Sequence, residues 1–193
     1  MRQETPPRPY WSRPAAAALF ALAVVLIGSM AALALHRARA DRALLATGPA
    51  EWIWYSSRVP KAMPVHFYAV REFALAAAPA RASARVFVDR EHVLFVNGRR
   101  AGGGMQQPGD ALATYEIAPL LRSGVNRIVI EASSPTGIGG ILFALDLGGQ
   151  GLVSDGRWRV DRDAAALTGQ ARYRPVVWGK PPLYPWGYPR EGR

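Results

Sequence analysis

From Ala15 to Leu35 the chain runs for 21 residues without a charged side chain. A helix rises about 1.5 Å per residue, so this block reaches about 30 Å, enough to cross a bilayer's hydrocarbon core. The rival reading is a cleaved signal peptide, because Ala38-Arg39-Ala40 has the small-residue spacing of a cleavage site. Two features weigh against cleavage. The apolar core of a signal peptide is only about 7–15 residues long, and Arg37 and Arg39 sit where a peptidase prefers small neutral side chains. An uncleaved membrane helix over residues 14–36 is therefore expected, opened by Pro14, where the missing N–H costs nothing. It follows a tail over 1–13 and leads into a linker over 37–49, which Gly48-Pro49 closes.

Orientation is almost a tie on charge. Arg2, Arg8 and Arg13 before the helix are matched by Arg37, Arg39 and Arg42 after it. The shortness of the tail and the type of domain that follows favour a bacterial inner-membrane protein with its N-terminus in the cytoplasm and its C-terminal domain in the periplasm. In the tail, Tyr10 and Trp11 follow Pro6, Pro7 and Pro9, as an aromatic anchor at the membrane interface does.

Beyond the helix the organising stretch is Arg85 to Gly104. It holds two runs of β-branched and aromatic residues, the second ending in Asn97-Gly98. Both residues tolerate the positive φ of a two-residue hairpin turn, so the chain reverses there. Alternation places Val86, Val88, His92, Leu94 and Val96 inward and Phe87, Val93 and Phe95 outward, and a sheet with two apolar faces needs cover on both. Around it, Trp52-Ile53-Trp54-Tyr55, Val65 to Leu75, Tyr115-Glu116-Ile117, Arg127 to Ala132, Ile141 to Leu147 and Arg157 to Val160 read as further strands. Gly102-Gly103-Gly104 to Gly109 reads as a loop. Short strands with turn signals every 8–12 residues indicate an all-β sandwich or barrel over residues 50–165.

The remaining residues, 166–193, have another character. Pro175, Pro181, Pro182, Pro185 and Pro189 alternate with Tyr173, Trp178, Tyr184, Trp186 and Tyr188. With so few backbone donors this extended arm is not expected to form strands, and it either wraps a surface in cis or anchors a partner. Trp52, Trp54 and Trp158 lie in strands and read as packing, since each buries about 150–250 Å². Tyr10, Trp11, Trp178, Tyr184, Trp186 and Tyr188 lie outside strands and read as partner-binding residues, because aromatic anchors carry large contact area with few rotamers to freeze.

The formal charge is +10, but the arginines are dispersed and no basic run exceeds Arg99-Arg100, so nucleic acid is not the expected partner. Anionic lipid headgroups or an acidic protein surface fit better. The absence of cysteine excludes disulfides, thiolate metal sites and a cysteine nucleophile. His36, His66 and His92 lack metal-ligand spacing. Asp89 with Glu91, and Asp161 with Asp163, read as salt-bridged surface residues rather than as carboxylates facing each other across a sugar. Asp161-Arg162-Asp163 lacks the glycine and further ligands of a calcium loop, and the triple glycine lacks the lysine of a phosphate loop. No enzyme, no cofactor and no metal are expected.

Trp52-Ile53-Trp54, Arg71-Glu72-Phe73, Val86-Phe87-Val88-Asp89, Leu94-Phe95-Val96-Asn97-Gly98, Gly124-Val125-Asn126-Arg127-Ile128 and Ser154-Asp155-Gly156-Arg157-Trp158-Arg159 follow one another in an order that resembles the non-catalytic jelly-roll domains of family 2 glycosidases and α-L-rhamnosidases. The resemblance implies a galactose-binding-like β-sandwich without its enzyme, and Pro185-Trp186-Gly187 is similar to a tail motif of some such proteins. It implies either sugar binding or packing against a neighbour, and fold alone does not choose. The first functional reading is thus a single-pass subunit that stabilises a larger integral membrane complex, photosynthetic, respiratory or envelope. The alternative is a membrane-anchored module for cell-wall or exported carbohydrate.

Overall fold

The computed structural model describes residues 13–56, 63–148 and 151–192. Tyr10 and Trp11 lie outside them. The chain divides into two compact units between Arg39 and Ala40. Helix α1 runs from Arg13 to Thr47, and its stretch Pro14–Ala38 is long and apolar enough to cross a membrane, a criterion that a signal sequence also meets. Phe20, Ile27 and Met30 stand exposed, and the Ser29 hydroxyl is satisfied within the helix by donating to the Val25 carbonyl at 2.8 Å. The helix stops where Gly48 takes a φ of +57°.

The second unit is built from strands β1 (Trp52–Trp54), β2 (Val65–Leu75), β3 (Ser83–Val88), β4 (Arg90–Val96), β5 (Arg99–Gln106), β6 (Ala111–Glu116), β7 (Gly124–Ser134), β8 (Ile141–Asp146), β9 (Leu152–Val153), β10 (Arg159–Asp161), β11 (Val176–Gly179) and β12 (Arg190–Glu191). Sheet A has the order β11-β1-β8-β3-β6-β12, with β9 also on β8; sheet B has the order β10-β2-β7-β4-β5. Their inner faces meet in one core that includes Trp54, Phe67, Val86, Val88, Leu94, Val96, Ile128, Ile130, Phe143 and Trp158. This is a jelly-roll β-sandwich, and the alternating apolar residues read from the sequence are its inward set.

The Asn97-Gly98 turn forms as expected, with φ of +51° and +78°, and joins β4 to β5. Two details differ from the sequence reading. The runs 83–88 and 90–96 do not share a sheet: the chain crosses at Asp89, so Val86 and Val88 face Leu94 and Val96 across the core instead of lying beside them. Gly102-Gly103-Gly104 is strand rather than loop. A Cβ on Gly102 would collide with the Tyr115 ring, and one on Gly103 would stand 2.6 Å from the His92 carbonyl oxygen, so β5 can lie this close only without side chains.

The proline-rich arm also forms strands, against expectation. Its four residues Val176–Gly179 fall between prolines and keep their donors, and they pair with β1; Arg190–Glu191 pairs in parallel with β6. The arm therefore supplies both edges of sheet A. Between those edges Trp186 lies on the sheet's outer face in a second core with Ala46, Ala50, Trp52, Phe87, Leu112 and Leu142. It stacks on Trp52 at 4.5 Å between ring centroids and donates from Nε1 to Asp89 Oδ2 at 2.8 Å. Arg85 on β3 donates to the Ala46 carbonyl at 3.1 Å, closing one of the groups left open at the end of α1.

Candidate functional site

Strand alternation decides what the outer face of sheet B presents. The registers His66 to Ser133, Ser133 to Glu91 and Glu91 to Met105 align these four residues in one row across β2, β7, β4 and β5. The next row holds Tyr68, Glu131, Val93 and Gly103. Further along, the 3-10 turn Ala164–Leu167 and the chain behind it cover the face, burying Tyr68, Val70 and Val129 beneath Ala166. Among the described residues the first row is left open and forms the floor of a cleft of 570 Å³, with Pro64, Val65, Arg90, Pro135 and Arg162 among its walls. A pocket of 150 Å³ shares His66, Glu91 and Ser133 and reaches Glu131.

The polar groups here are already oriented. His66 Nε2 lies 2.7 Å from Glu131 Oε1, and the Ser133 hydroxyl donates to Glu91 Oε2 at 3.1 Å. Tyr68 packs edge-on to the His66 ring at 5.1 Å; burial and the nearby Glu131 carboxylate push its hydroxyl above the ordinary tyrosine range, so it stays protonated. Carboxylate acceptors, guanidinium and hydroxyl donors, and the exposed apolar Met105 thus share one rigid strand surface. That combination can take several hydrogen bonds from a polar ligand while offering a surface for its apolar side.

The residues weighed for chemistry in the sequence are placed elsewhere. His92 points inward, 2 % exposed, with Nε2 3.0 Å from the Tyr115 hydroxyl; burial lowers its pKa to about 4, so it is neutral at pH 7. Asp89 and Asp161 are not surface residues. Asp89 accepts the Trp186 N–H, with Arg90 Nε at 3.6 Å. Asp161 lies beneath Arg172, whose Nε and Nη2 donate at 2.7 and 2.8 Å while the backbone of Arg172 and Asp163 adds further bonds. The Arg172 hydrogen bonds hold its carboxyl well below the usual carboxylate range despite its burial. Asp89 and Asp161 thus each have a hydrogen-bonding partner within the chain. Among the described residues no cluster of three or more His, Cys, Asp or Glu could hold a metal.

Of the aromatic residues read as partner anchors, Tyr184 is 94 % exposed and Trp178 37 %, Tyr188 is half-buried, and Trp186 is spent inside its own chain at 8 %. The indole of Trp186, read in the sequence as a partner anchor, has both a stacking partner and an acceptor in cis. None of the four lines the sheet B cleft. Sequence reasoning missed His66, Glu91, Glu131 and Ser133 as a group, because they come from three strands; the strand parity that puts them on one face was the available signal.

No family model and no curated protein matches this chain. Solved structures do. An α-L-rhamnosidase from Streptomyces avermitilis complexed with L-rhamnose aligns with TM-score 0.65 at 17% identity, over 74% of this chain and 16% of that one. A Bacillus rhamnosidase aligns with TM-score 0.65 at 20% identity, over 75% of this chain and 20% of that one. The Pleurotus ostreatus lectin in complex with GalNAc aligns with TM-score 0.62 at 19% identity, over 74% of this chain and 47% of that one. This chain thus spans a fifth or less of each rhamnosidase and about half of the lectin, and at such identities the likeness concerns the fold. The strand domain that follows α1 has the galactose-binding-like jelly-roll fold that these proteins share.

Proposed function

We propose that this protein is a non-catalytic carbohydrate-binding module tethered to the bacterial inner membrane by its N-terminal helix, with the sandwich in the periplasm. The observation that carries this reading is the open polar row His66-Ser133-Glu91 with Met105, on the outer face of a fold shared with a lectin solved in complex with GalNAc. Sugar hydroxyls pair with carboxylate acceptors and with guanidinium, imidazole and hydroxyl donors, and Glu91, Glu131, Arg90, Arg162, His66 and Ser133 supply all of these around the cleft. Met105 and Val65 offer apolar area for the C–H face of a pyranose. One shallow site is weak alone, but many copies in one membrane can engage a single polymer together.

The test is retention of the full chain, in a neutral detergent, on a glycan array, beside the double variant His66→Ala/Glu91→Ala. Retention of the parent on particular glycans and its loss in the variant is the expected result. Equal retention of both, or of neither, rejects the cleft as the site.

A second reading, a subunit that stabilises a larger membrane protein complex, draws on the arm. Tyr184, Trp178 and Val177 expose large apolar area on a segment otherwise fixed to sheet A, and anchors of this kind dominate protein interfaces. Co-purification of other integral membrane proteins from native membranes, abolished by Tyr184→Ala/Trp178→Ala while glycan retention is absent, would favour it.

A further inference from the structure

At the opposite end of the same sheet B face lies a smaller pocket of 270 Å³ whose lining is dominated by arginine: Arg71, Arg127, Arg157 and Arg159, with Glu72 as its single acid. Arg127 is already committed, donating to Glu72 at 2.6 Å, to the Ala166 carbonyl at 2.6 Å and to the Gly169 carbonyl. It braces the loop that forms one wall. Arg157 is paired with Asp155 at 2.6 Å. Among the described residues no carboxylate lies within ion-pair distance of Arg71 or Arg159; Arg71 donates to the Arg157 carbonyl at 2.9 Å and Arg159 to the Trp158 carbonyl at 3.3 Å. Two guanidinium groups without counter-charges therefore border one concavity whose wall a third holds in place. Like charges brought together at a concave surface repel, and an anion seated between them removes that cost.

We propose that this pocket is an oxyanion subsite, and that the oxyanion is the carboxylate of an acidic sugar. The planar fork of arginine matches a carboxylate in bidentate geometry and discriminates it from neutral hydroxyls. The choice of a sugar rests on the carbohydrate reading above, since pocket and cleft belong to one sheet. The polymer so recognised is a polyuronate or a similarly acidic chain rather than a neutral glycan.

The test titrates the full chain in zwitterionic detergent at low salt with trigalacturonate, neutral galactotriose and inorganic phosphate, following heat of binding. Three proteins are compared: the parent, Arg159→Gln and Arg159→Lys. Their melting temperatures are taken alongside, so that a folding defect is recognised. The expected result is that trigalacturonate binds the parent at least about tenfold more tightly than galactotriose. Arg159→Gln should remove the difference, and Arg159→Lys, which keeps charge but loses the fork, should keep part of it. Equal affinity for the acidic and neutral saccharides overturns the subsite and leaves the carbohydrate reading standing. Phosphate binding that Arg159→Gln abolishes, with neither saccharide bound, keeps the oxyanion site and rejects the sugar. No binding of any of the three overturns both.

Discussion

The outer faces of the two sheets begin alike, each a strand surface with alternate side chains pointing away from the shared core, and they end differently. On sheet A the outward residues are Trp52, Phe87, Leu112 and Leu142, and the chain returns over them with Trp186. On sheet B the turn at 164–167 covers the apolar part around Val70 and Val129 and stops before the polar row of His66, Ser133 and Glu91. Cover follows composition: an apolar face left open costs roughly 25 cal/mol for each Å² exposed, whereas a polar face is already satisfied by water. A face left open and polar, held by strands on a packed core, is where a binding site can be kept without destabilising the fold. The contrast gives the arm a part in stability and leaves the open row of sheet B as the surface proposed for binding.

Removing the arm should break the contrast most severely. A chain ending at Arg174 loses β11, Trp186 and β12 together, and the expected outcome is loss of the cooperative thermal transition seen by circular dichroism. Trp186→Ala isolates one residue of that loss. Buried tryptophan to alanine typically costs about 3–5 kcal/mol, which corresponds to a fall in melting temperature of about 10 °C for a domain of this size. An unchanged melting temperature would return Trp186 to the role of partner anchor.

Acid should act next, through His92. The folded ring takes up a proton only near pH 4 and the unfolded ring near 6.5, so between these values the unfolded chain binds more protons and stability declines as pH falls. The loss is on the order of 3 kcal/mol across that window, with no contribution above about pH 6.5. Asp161 adds a decline of the same sign at lower pH, because its folded pKa lies below the unfolded one. Chemical denaturation from pH 7 to 4 should show a weaker slope in His92→Gln than in the parent. The smallest effect on stability belongs to the cleft: His66→Ala and Glu91→Ala should each move stability by no more than about 0.5 kcal/mol, because both side chains are exposed. A larger loss would mean that sheet B's open face is structural after all.

Much of this architecture was legible because its signals are local. Asn97-Gly98 dictates a hairpin by backbone conformation alone, and the uncharged block 15–35 dictates a helix. What was missed depends on contacts between distant segments. Gly102-Gly103-Gly104 carries no side-chain pattern, and its strand exists because Tyr115 and the His92 carbonyl crowd that space. Trp186 and Asp89 are 97 residues apart, so nothing near either one announces their hydrogen bond. In the candidate site each residue sits on the face that alternation predicts, but only the pairing of β2, β7 and β4 brings His66, Ser133 and Glu91 side by side. The arginine pocket was hidden more deeply, since strands and a loop far apart in the chain contribute its cations.

The pairing of β1 with β11 also sets a schedule. Ribosomes release Trp52 long before Val176, so during synthesis the outer face of sheet A stands without its lid. Trp52, Phe87 and Leu142 remain open to solvent or to a neighbouring nascent chain until the arm arrives, and contacts of such long sequence separation are slow to close. Closure of sheet A's outer face therefore waits for β11, Trp186 and β12 to be made.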